Sequence, residues 1–184
     1  MRIISGHLRG RRIEAVEGRQ TRPTTDRTRE ALFNILGPSV VDRRVLDLFS
    51  GTGALAIEAL SRGAQSALLV DYNTAVLAKI RKNIAACGLT GVATVRRFDL
   101  RRRLTLLAAY PNYFDLIFMD PPYHRQLDDH TLAHLHDSGA LTDKALIVAE
   151  HHVNDALTPT EPFFKLKDQR RYGKTLVSFL TYVL

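Results

Sequence analysis

The sequence predicts an α/β protein with a Rossmann-like, mostly parallel sheet that ends in an antiparallel hairpin. Two patterns support this fold class. From residue 40 onward, short β-type runs alternate with helical stretches, which is typical of βαβ units. Residues 163–184 then form two β-rich runs around a glycine. Since the chain has 184 residues, 45% of them hydrophobic, we expect a single domain over residues 1–184.

The first two βα units are predicted from apolar runs and helix caps. Strand one covers Arg44–Phe49, and its helix covers about Ala54–Arg62, where Gly63 can end it. Strand two covers Ser66–Asp71. Its helix covers Asn73–Cys87, with the asparagine as N-cap and a glycine after the cysteine. Each unit therefore ends its strand close to the start of a helix.

The alternation continues through the middle of the chain. The third strand is predicted at Ala93–Asp99 and the third helix at Arg101–Ala109. The fourth strand, Phe114–Asp120, is almost continuously apolar, as expected when a parallel sheet is covered on both faces. A helix at Gln126–His136 and a fifth strand at Ala145–Glu150 follow.

The two ends of the chain depart from this pattern. At the C-terminal end, Phe163–Arg171 and Thr175–Leu184 are predicted to pair as a hairpin that closes one edge of the sheet. At the other end, residues 1–22 are predicted to form a basic N-terminal arm and residues 23–37 a helix that stops at a Gly-Pro pair. Both are extensions of the same domain.

The charge distribution predicts a polyanionic partner. Lys and Arg exceed Asp and Glu by 26 to 19, a net charge of +7, and residues 1–29 hold eight arginines against three acids. Such a segment attracts nucleic acid because neutralising phosphates releases counterions. The predicted nucleic-acid contacts are Arg2, His7, Arg9, Arg11, Arg12, Arg22 and Arg27.

Other features exclude several classes of protein. No apolar run approaches the length of a membrane span, and the first residues lack the apolar core of a signal peptide, so we expect a cytoplasmic protein without a membrane partner. Cys87 is the only cysteine, which excludes a disulfide framework within the chain. No H-E-x-x-H pattern accompanies the histidines, and we expect no metal. A monomer is the default expectation.

The first chemical motif is the glycine-rich turn after strand one. Gly51, Gly53 and Asp71 fit a dinucleotide-binding fingerprint, so a nicotinamide enzyme is an alternative. The carboxylate of Asp47 would repel a pyrophosphate but suits the ammonium and sulfonium of S-adenosylmethionine, which is the predicted ligand. Asp71 would accept hydrogen bonds from the ribose hydroxyls, and Asp99 would accept one from the adenine amino group. The predicted donor contacts are Asp47, Phe49, Gly51, Thr52, Gly53, Asp71, Tyr72, Asp99 and Leu100.

The second motif is the sequence D-P-P-Y after strand four. The Asp120 carboxylate and the Pro121 carbonyl can each accept one N–H of an exocyclic amino group and aim its lone pair at a methyl carbon. Pro122 would stiffen the turn, and Tyr123 would stack on an extruded base. These four residues are the predicted catalytic set. The motif permits guanine N2 or adenine N6 as the acceptor.

The chain resembles the RsmD family of 16S ribosomal RNA guanine-N2 methyltransferases over nearly its whole length. The donor loop here reads Ser-Gly-Thr-Gly, where the family often reads Ala-Gly-Ser-Gly, and Asp71 replaces a frequent Glu. The matching segments are Arg2–Gly6, Arg9–Arg12, Arg22–Thr24, Asp26–Leu36, Asp47–Phe49, Gly51–Leu55, Glu58–Ala64 and Asp120–Tyr123.

The resemblance implies a seven-stranded class I methyltransferase fold with S-adenosylmethionine as donor and S-adenosylhomocysteine as product. It implies transfer to guanine N2 in 16S ribosomal RNA, presented in an assembling small subunit. Two alternatives remain: an adenine-N6 methyltransferase acting on DNA or RNA, and an inactive RNA-binding assembly factor. A base C5-methyltransferase with Cys87 as nucleophile is disfavoured, since this residue lies far along the chain from D-P-P-Y.

Overall fold

A computed structural model describes residues 1–15, 26–121, 127–155, 157 and 162–184. The described residues contain seven strands, which form one mostly parallel sheet in the order β3-β2-β1-β4-β5-β7-β6. This confirms the predicted fold class. The helices and strands are α1 Asp26–Leu36, β1 Arg44–Leu48, α2 Ala54–Ser61, β2 Ser66–Asp71, α3 Thr74–Ala86, β3 Ala93–Arg97, β4 Phe114–Met119, α4 Leu127–Asp137, β5 Leu141–His152, β6 Phe164–Tyr172 and β7 Thr175–Tyr182.

The chain divides into two compact units, Met1–Arg97 and Phe98–Leu184. In the first unit, β1 pairs with β2 and β2 with β3, all parallel. The side chains of β1 and β2 are buried except at their first residues, as expected for strands covered on both faces. Strand β2 has its predicted bounds, and β1 ends one residue early because Phe49 turns away with φ +61°.

Local capping sets the helices of this unit. The Asn73 side chain accepts the backbone N–H of Ala75 and Val76, so α3 begins where the sequence predicts. Gly88, with φ +71°, follows its C-cap, and Gly63, with φ +100°, follows the end of α2. The positions of α2 and α3 are therefore confirmed.

The segment before α1 is described as far as residue 15, and we call residues 1–15 the N-terminal hairpin. An antiparallel bridge joins Arg2 to Arg12, and Ile3, Leu8 and Ile13 are buried. Residues 16–25 of the predicted arm and helix lie outside the described part of the chain. Helix α1 then buries its apolar face and gives way to a short 3-10 helix at Gly37–Val40.

In the second unit, β5 runs parallel to β4 and antiparallel to β7, which pairs with β6. The β6–β7 connection is a tight turn with Gly173 at φ +66°, so the predicted hairpin is confirmed. Helix α4 agrees with its prediction within one residue at each end and buries Leu132 and Leu135.

Two predictions for this unit were wrong. The predicted helix at Arg101–Ala109 is only a 3-10 helix at Thr105–Ala109. The reason is a local turn: the Arg101 N–H bonds the Asp99 carboxylate and the Arg102 N–H bonds the Asp99 carbonyl, which competes with helix formation. Strand β5 is also much longer than the predicted Ala145–Glu150, because its exposed polar residues carry no apolar signal.

In the part of the chain that the structure describes, no helix combines the length and the apolar character needed to cross a bilayer.

Candidate active site

The glycine loop, residues 49–53, connects β1 to α2 and is wound tightly. Phe49, Gly51 and Gly53 have φ of +61°, +54° and +75°, a left-handed backbone that suits glycine and strains the phenylalanine. A Cβ on Gly53 would lie 3.0 Å from the Leu69 side chain. The Ser50 hydroxyl donates to the Asp47 carbonyl at 2.6 Å and accepts the Val70 N–H at 2.9 Å. The loop is therefore held against the end of β2.

Asp47 lies at the end of β1, in contact with the first turn of α2. Its side chain is only 2% exposed, and a carboxylate oxygen accepts the Ala56 N–H at 3.3 Å. Burial raises the pKa of Asp47 to about 7, the Ala56 bond opposes that rise, and the charge of Asp71 adds to it. A positively charged ligand would stabilise the ionised form of this carboxylate.

Asp71 ends β2 and is also buried. One carboxylate oxygen accepts the Gly51 N–H at 3.3 Å, and the other accepts the Asn73 N–H at 3.0 Å. The first unit thus brings together the predicted contacts Asp47, Gly51, Gly53 and Asp71. The next residue, Tyr72, has a 56% exposed side chain, although its carbonyl accepts an Arg97 N–H.

Phe49 and Thr52 are part of the glycine loop of the first unit, and the last two predicted donor contacts, Asp99 and Leu100, belong to the second unit. Asp99 is bound in a fork by the Arg101 guanidinium at 2.8 and 2.7 Å. The Arg101 side-chain hydrogen bonds are the main reason that the pKa of Asp99 is lowered to about 2. The Leu100 side chain is buried. In this structure the Asp99 carboxylate is engaged by arginine rather than left open as an acceptor.

The D-P-P-Y segment is described in part. Asp120 follows the last residue of β4 and is half-buried, and Pro121 is buried. Pro122 and Tyr123, the other two predicted catalytic residues, lie outside the described residues. The described backbone confirms that the motif begins where β4 ends.

The predicted nucleic-acid contacts lie on the surface where they are described. Arg11 combines exposure with a structural contact, because its guanidinium donates to the Ala86 carbonyl at 2.7 Å. His7 also bonds the N-terminal hairpin to α2, through its Nδ1 and the Ser61 carbonyl at 3.0 Å. Arg22 lies outside the described residues. The exposed members are Arg2, His7, Arg9, Arg11, Arg12 and Arg27.

Sequence reasoning missed the residues that dock the N-terminal hairpin. Glu58 is buried in α2 and accepts the N–H groups of Ile4 and Ser5 at 2.8 and 3.0 Å. The Ser61 hydroxyl accepts the Leu8 N–H at 3.0 Å and donates to the Ser5 carbonyl at 2.6 Å. An acid inside the apolar run A-L-A-I-E-A-L was the signal that could have revealed this anchor.

The structure bears on two other kinds of chemistry, a cysteine nucleophile and a metal site. Cys87 is buried at the C-cap of α3, and burial raises the pKa of its thiol, which disfavours a nucleophilic thiolate. Within the described ranges, no three His, Cys, Asp or Glu side chains gather as a set of metal ligands.

Comparisons with known proteins match this chain over most of its length. The family model described as "Conserved hypothetical protein 95" matches residues 1–181. "Ribosomal RNA small subunit methyltransferase D" of Escherichia coli (strain K12) is 41% identical over 162 residues, covering 88% of this chain and 79% of the relative. "Putative rRNA methyltransferase YlbH" of Bacillus subtilis is 39% identical over 178 residues, 97% of each chain. The solved structure of "Putative methyltransferase yhhF" from Escherichia coli superimposes with a TM-score of 0.86 at 36% identity, covering 100% of this chain and 98% of that one.

Proposed function

The chain belongs to the Conserved hypothetical protein 95 family, the RsmD family, and is a methyltransferase; from this premise we propose that it methylates the N2 amino group of a guanine in 16S ribosomal RNA. The proposed donor is S-adenosylmethionine. The proposed substrate form is an assembling small ribosomal subunit in the cytoplasm, and the enzyme acts as a monomer without a metal.

The observation that carries the donor assignment is the buried carboxylate of Asp47 beside the glycine loop. Its raised pKa reflects a charge held in a poorly hydrated position, which suits the cationic amino-acid end of the donor and not a pyrophosphate. Asp71, Tyr72 and Asp99 are proposed to hold the ribose and adenine. When bound, the donor supplies an electrophilic methyl group and leaves as S-adenosylhomocysteine.

The residues after β4 are proposed to position the target base. The guanine amino group is a weak nucleophile because its lone pair is delocalised into the ring. The Asp120 carboxylate and the Pro121 carbonyl each accept one of its N–H groups, which frees the lone pair for in-line attack. Positive charge grows on the nitrogen as the new N–C bond forms, and Asp120 stabilises it until the surplus proton leaves. Pro122 and Tyr123 are proposed to stiffen the turn and stack on the base.

The exposed cations of the N-terminal hairpin support an RNA partner. Arg2, Arg9 and Arg12 lie on the surface of a hairpin whose backbone is anchored to α2. Anchoring the backbone leaves long cationic side chains available for phosphates at a fixed position. We therefore propose that this hairpin binds phosphates of the RNA.

The direct test is to incubate the protein with labelled S-adenosylmethionine and small ribosomal subunits from cells that lack it. The RNA is then digested and the modified nucleoside identified by mass spectrometry. We expect N2-methylguanosine. N6-methyladenosine would support the adenine alternative, and unlabelled RNA despite donor binding would show that the proposed substrate is wrong.

The Asp120→Asn variant tests the catalytic assignment. Asparagine keeps the size and one acceptor oxygen but loses the negative charge, so we expect turnover to fall by about 100-fold or more. Donor affinity, measured by calorimetry with S-adenosylhomocysteine, should change by less than about threefold. Asp137→Asn, which alters an exposed acid of α4, is the matched control. Near-normal turnover of Asp120→Asn would remove this residue from the mechanism.

A further inference from the structure

Asn83, in the last turn of α3, connects two segments that the proposed function uses separately. Its side chain is 2% exposed. Oδ1 accepts the Glu14 N–H at 2.9 Å, and Nδ2 donates to the Glu14 carbonyl and to the Thr52 carbonyl, both at 3.1 Å. A primary amide has two N–H donors, and both find a carbonyl here. One side chain therefore joins the N-terminal hairpin to the glycine loop.

The contact with Glu14 fixes which way the amide faces. A backbone N–H can only donate and a carbonyl can only accept, so the Glu14 N–H requires Oδ1 on its side. That orientation turns Nδ2 towards the Thr52 carbonyl. If the hairpin left, the amide would lose two of its three bonds and keep only the one to the Thr52 carbonyl. The hairpin thus determines how firmly Asn83 holds the loop.

The contact with Thr52 lies at the centre of the glycine loop. Thr52 stands between Gly51 and Gly53, whose φ angles are positive, and the Gly51 N–H is held by Asp71. Asp71 therefore holds the peptide N–H at the start of this turn, and Asn83 holds the carbonyl two peptide groups later. The Thr52 hydroxyl also lies 3.9 Å from the Met1 sulfur, a second contact between loop and hairpin.

The other contacts of Glu14 are exposed and weaker. Its carboxylate pairs with Lys79 and Lys82 at 2.6 and 2.5 Å. The hydrogen bonds from these lysines, that of Lys79 first, lower the pKa of Glu14 to about 2. Exposed ion pairs of this kind add little to stability. The buried amide of Asn83 is accordingly the contact with most influence at this end of the hairpin.

We propose that Asn83 is a positioning residue that couples the glycine loop to the N-terminal hairpin, so that donor occupancy and RNA binding strengthen each other. The proposal rests on the proposed function, in which the loop takes S-adenosylmethionine and the hairpin takes ribosomal RNA. A donor that orders the loop stabilises the Thr52 contact and, through Asn83, the docked hairpin. Because coupling between sites is reciprocal, RNA that orders the hairpin raises donor affinity by the same factor.

Hydrogen exchange of the wild-type protein tests the coupling. With saturating S-adenosylhomocysteine, we expect exchange at the Ile13 and Glu14 amides to slow by on the order of tenfold. Calorimetry on the same sample reports whether the ligand binds. Absence of binding would contradict the proposed donor site itself, whereas binding with unchanged exchange at these amides would overturn the coupling alone.

Two variants separate Asn83 from the surrounding charges. Asn83→Leu keeps the volume but removes all three bonds, and the ligand-dependent slowing of hairpin exchange should disappear while donor affinity falls by about tenfold. Lys82→Gln, next to it on α3, removes an exposed ion pair to the same glutamate and should keep the slowing. Full slowing in Asn83→Leu, or its loss in Lys82→Gln, would overturn the proposal.

Discussion

Asp47, near the end of β1, and Asp99, in the loop after β3, are both predicted donor contacts, and the two carboxylates have opposite electrostatic properties. Asp47 is buried, and burial raises its pKa to about 7. Asp99 is bound by an arginine on a more exposed loop, and its pKa is lowered to about 2. The first carboxylate needs a cation to become stable as an anion, whereas the second already has one. We therefore expect the donor to depend much more on Asp47 than on Asp99.

Replacement of Asp47 should have the largest effect. Asp47→Asn keeps the acceptor for the Ala56 N–H but removes the charge proposed to face the donor ammonium. We expect affinity for S-adenosylhomocysteine to fall by about 100-fold, the size of a lost buried charged contact. Isothermal calorimetry measures it. A change of less than about threefold would mean that the donor amino group lies elsewhere.

Asp47→Asn should also have a higher free energy of unfolding than the wild-type protein, so its loss of donor affinity would not be due to unfolding. The folded pKa of Asp47 lies above its ordinary value of 3.8, so the folded state holds a proton that the unfolded state releases between about pH 4 and pH 7. This group therefore lowers the stability of the folded state as pH rises through that range. At pH 8, Asp47→Asn should raise the free energy of unfolding by about 4 kcal/mol, since each pKa unit is worth about 1.4 kcal/mol, and near pH 4 by less than about 1 kcal/mol. Urea titrations at both pH values measure the difference.

The next largest expected effect is the pH dependence of donor affinity. Since a cationic donor favours the ionised form, binding below pH 7 must first remove the Asp47 proton. We expect affinity to weaken by about tenfold per pH unit below about 7 and to level off above it. Asp99, with its pKa near 2, stays ionised throughout. Calorimetry between pH 5.5 and about 8 tests this, and Asp47→Asn should give a flat profile. A sloping profile in that variant would assign the titration to another group.

The contrast between Asp47 and Asp99 also shows how much of the site could be predicted from the sequence. Local signals were sufficient for β2 and for the cap at Asn73, because glycines and capping side chains act on residues near them in the chain. The same logic placed Asp47, Asp71 and Asp120 at strand ends. It could not distinguish Asp47 from Asp99, because burial and the Arg101 fork depend on packing that residue spacing does not encode.

Contacts between distant residues were also beyond prediction. Glu58 binds backbone that lies 53 and 54 residues away, and Asn83 binds Glu14 at a separation of 69 residues. No periodicity or local motif marks such pairs. The N-terminal hairpin was predicted as a charged RNA contact, while its attachment to α2 and α3 emerged only from the structure.

The smallest effect is expected at Asp99. Asp99→Ala removes one proposed acceptor for the adenine amino group. Because the Asp99 carboxylate is partly exposed and already paired with Arg101, we expect donor affinity to fall by only about fivefold. Arg101→Gln is the matched control, since it releases the carboxylate and should leave affinity equal or slightly higher. Calorimetry at pH 8 compares the donor affinities of both variants with that of Asp47→Asn. If Asp99→Ala lost as much affinity as Asp47→Asn, the arginine fork would have to open on donor binding, and the two carboxylates would contribute equally to donor affinity.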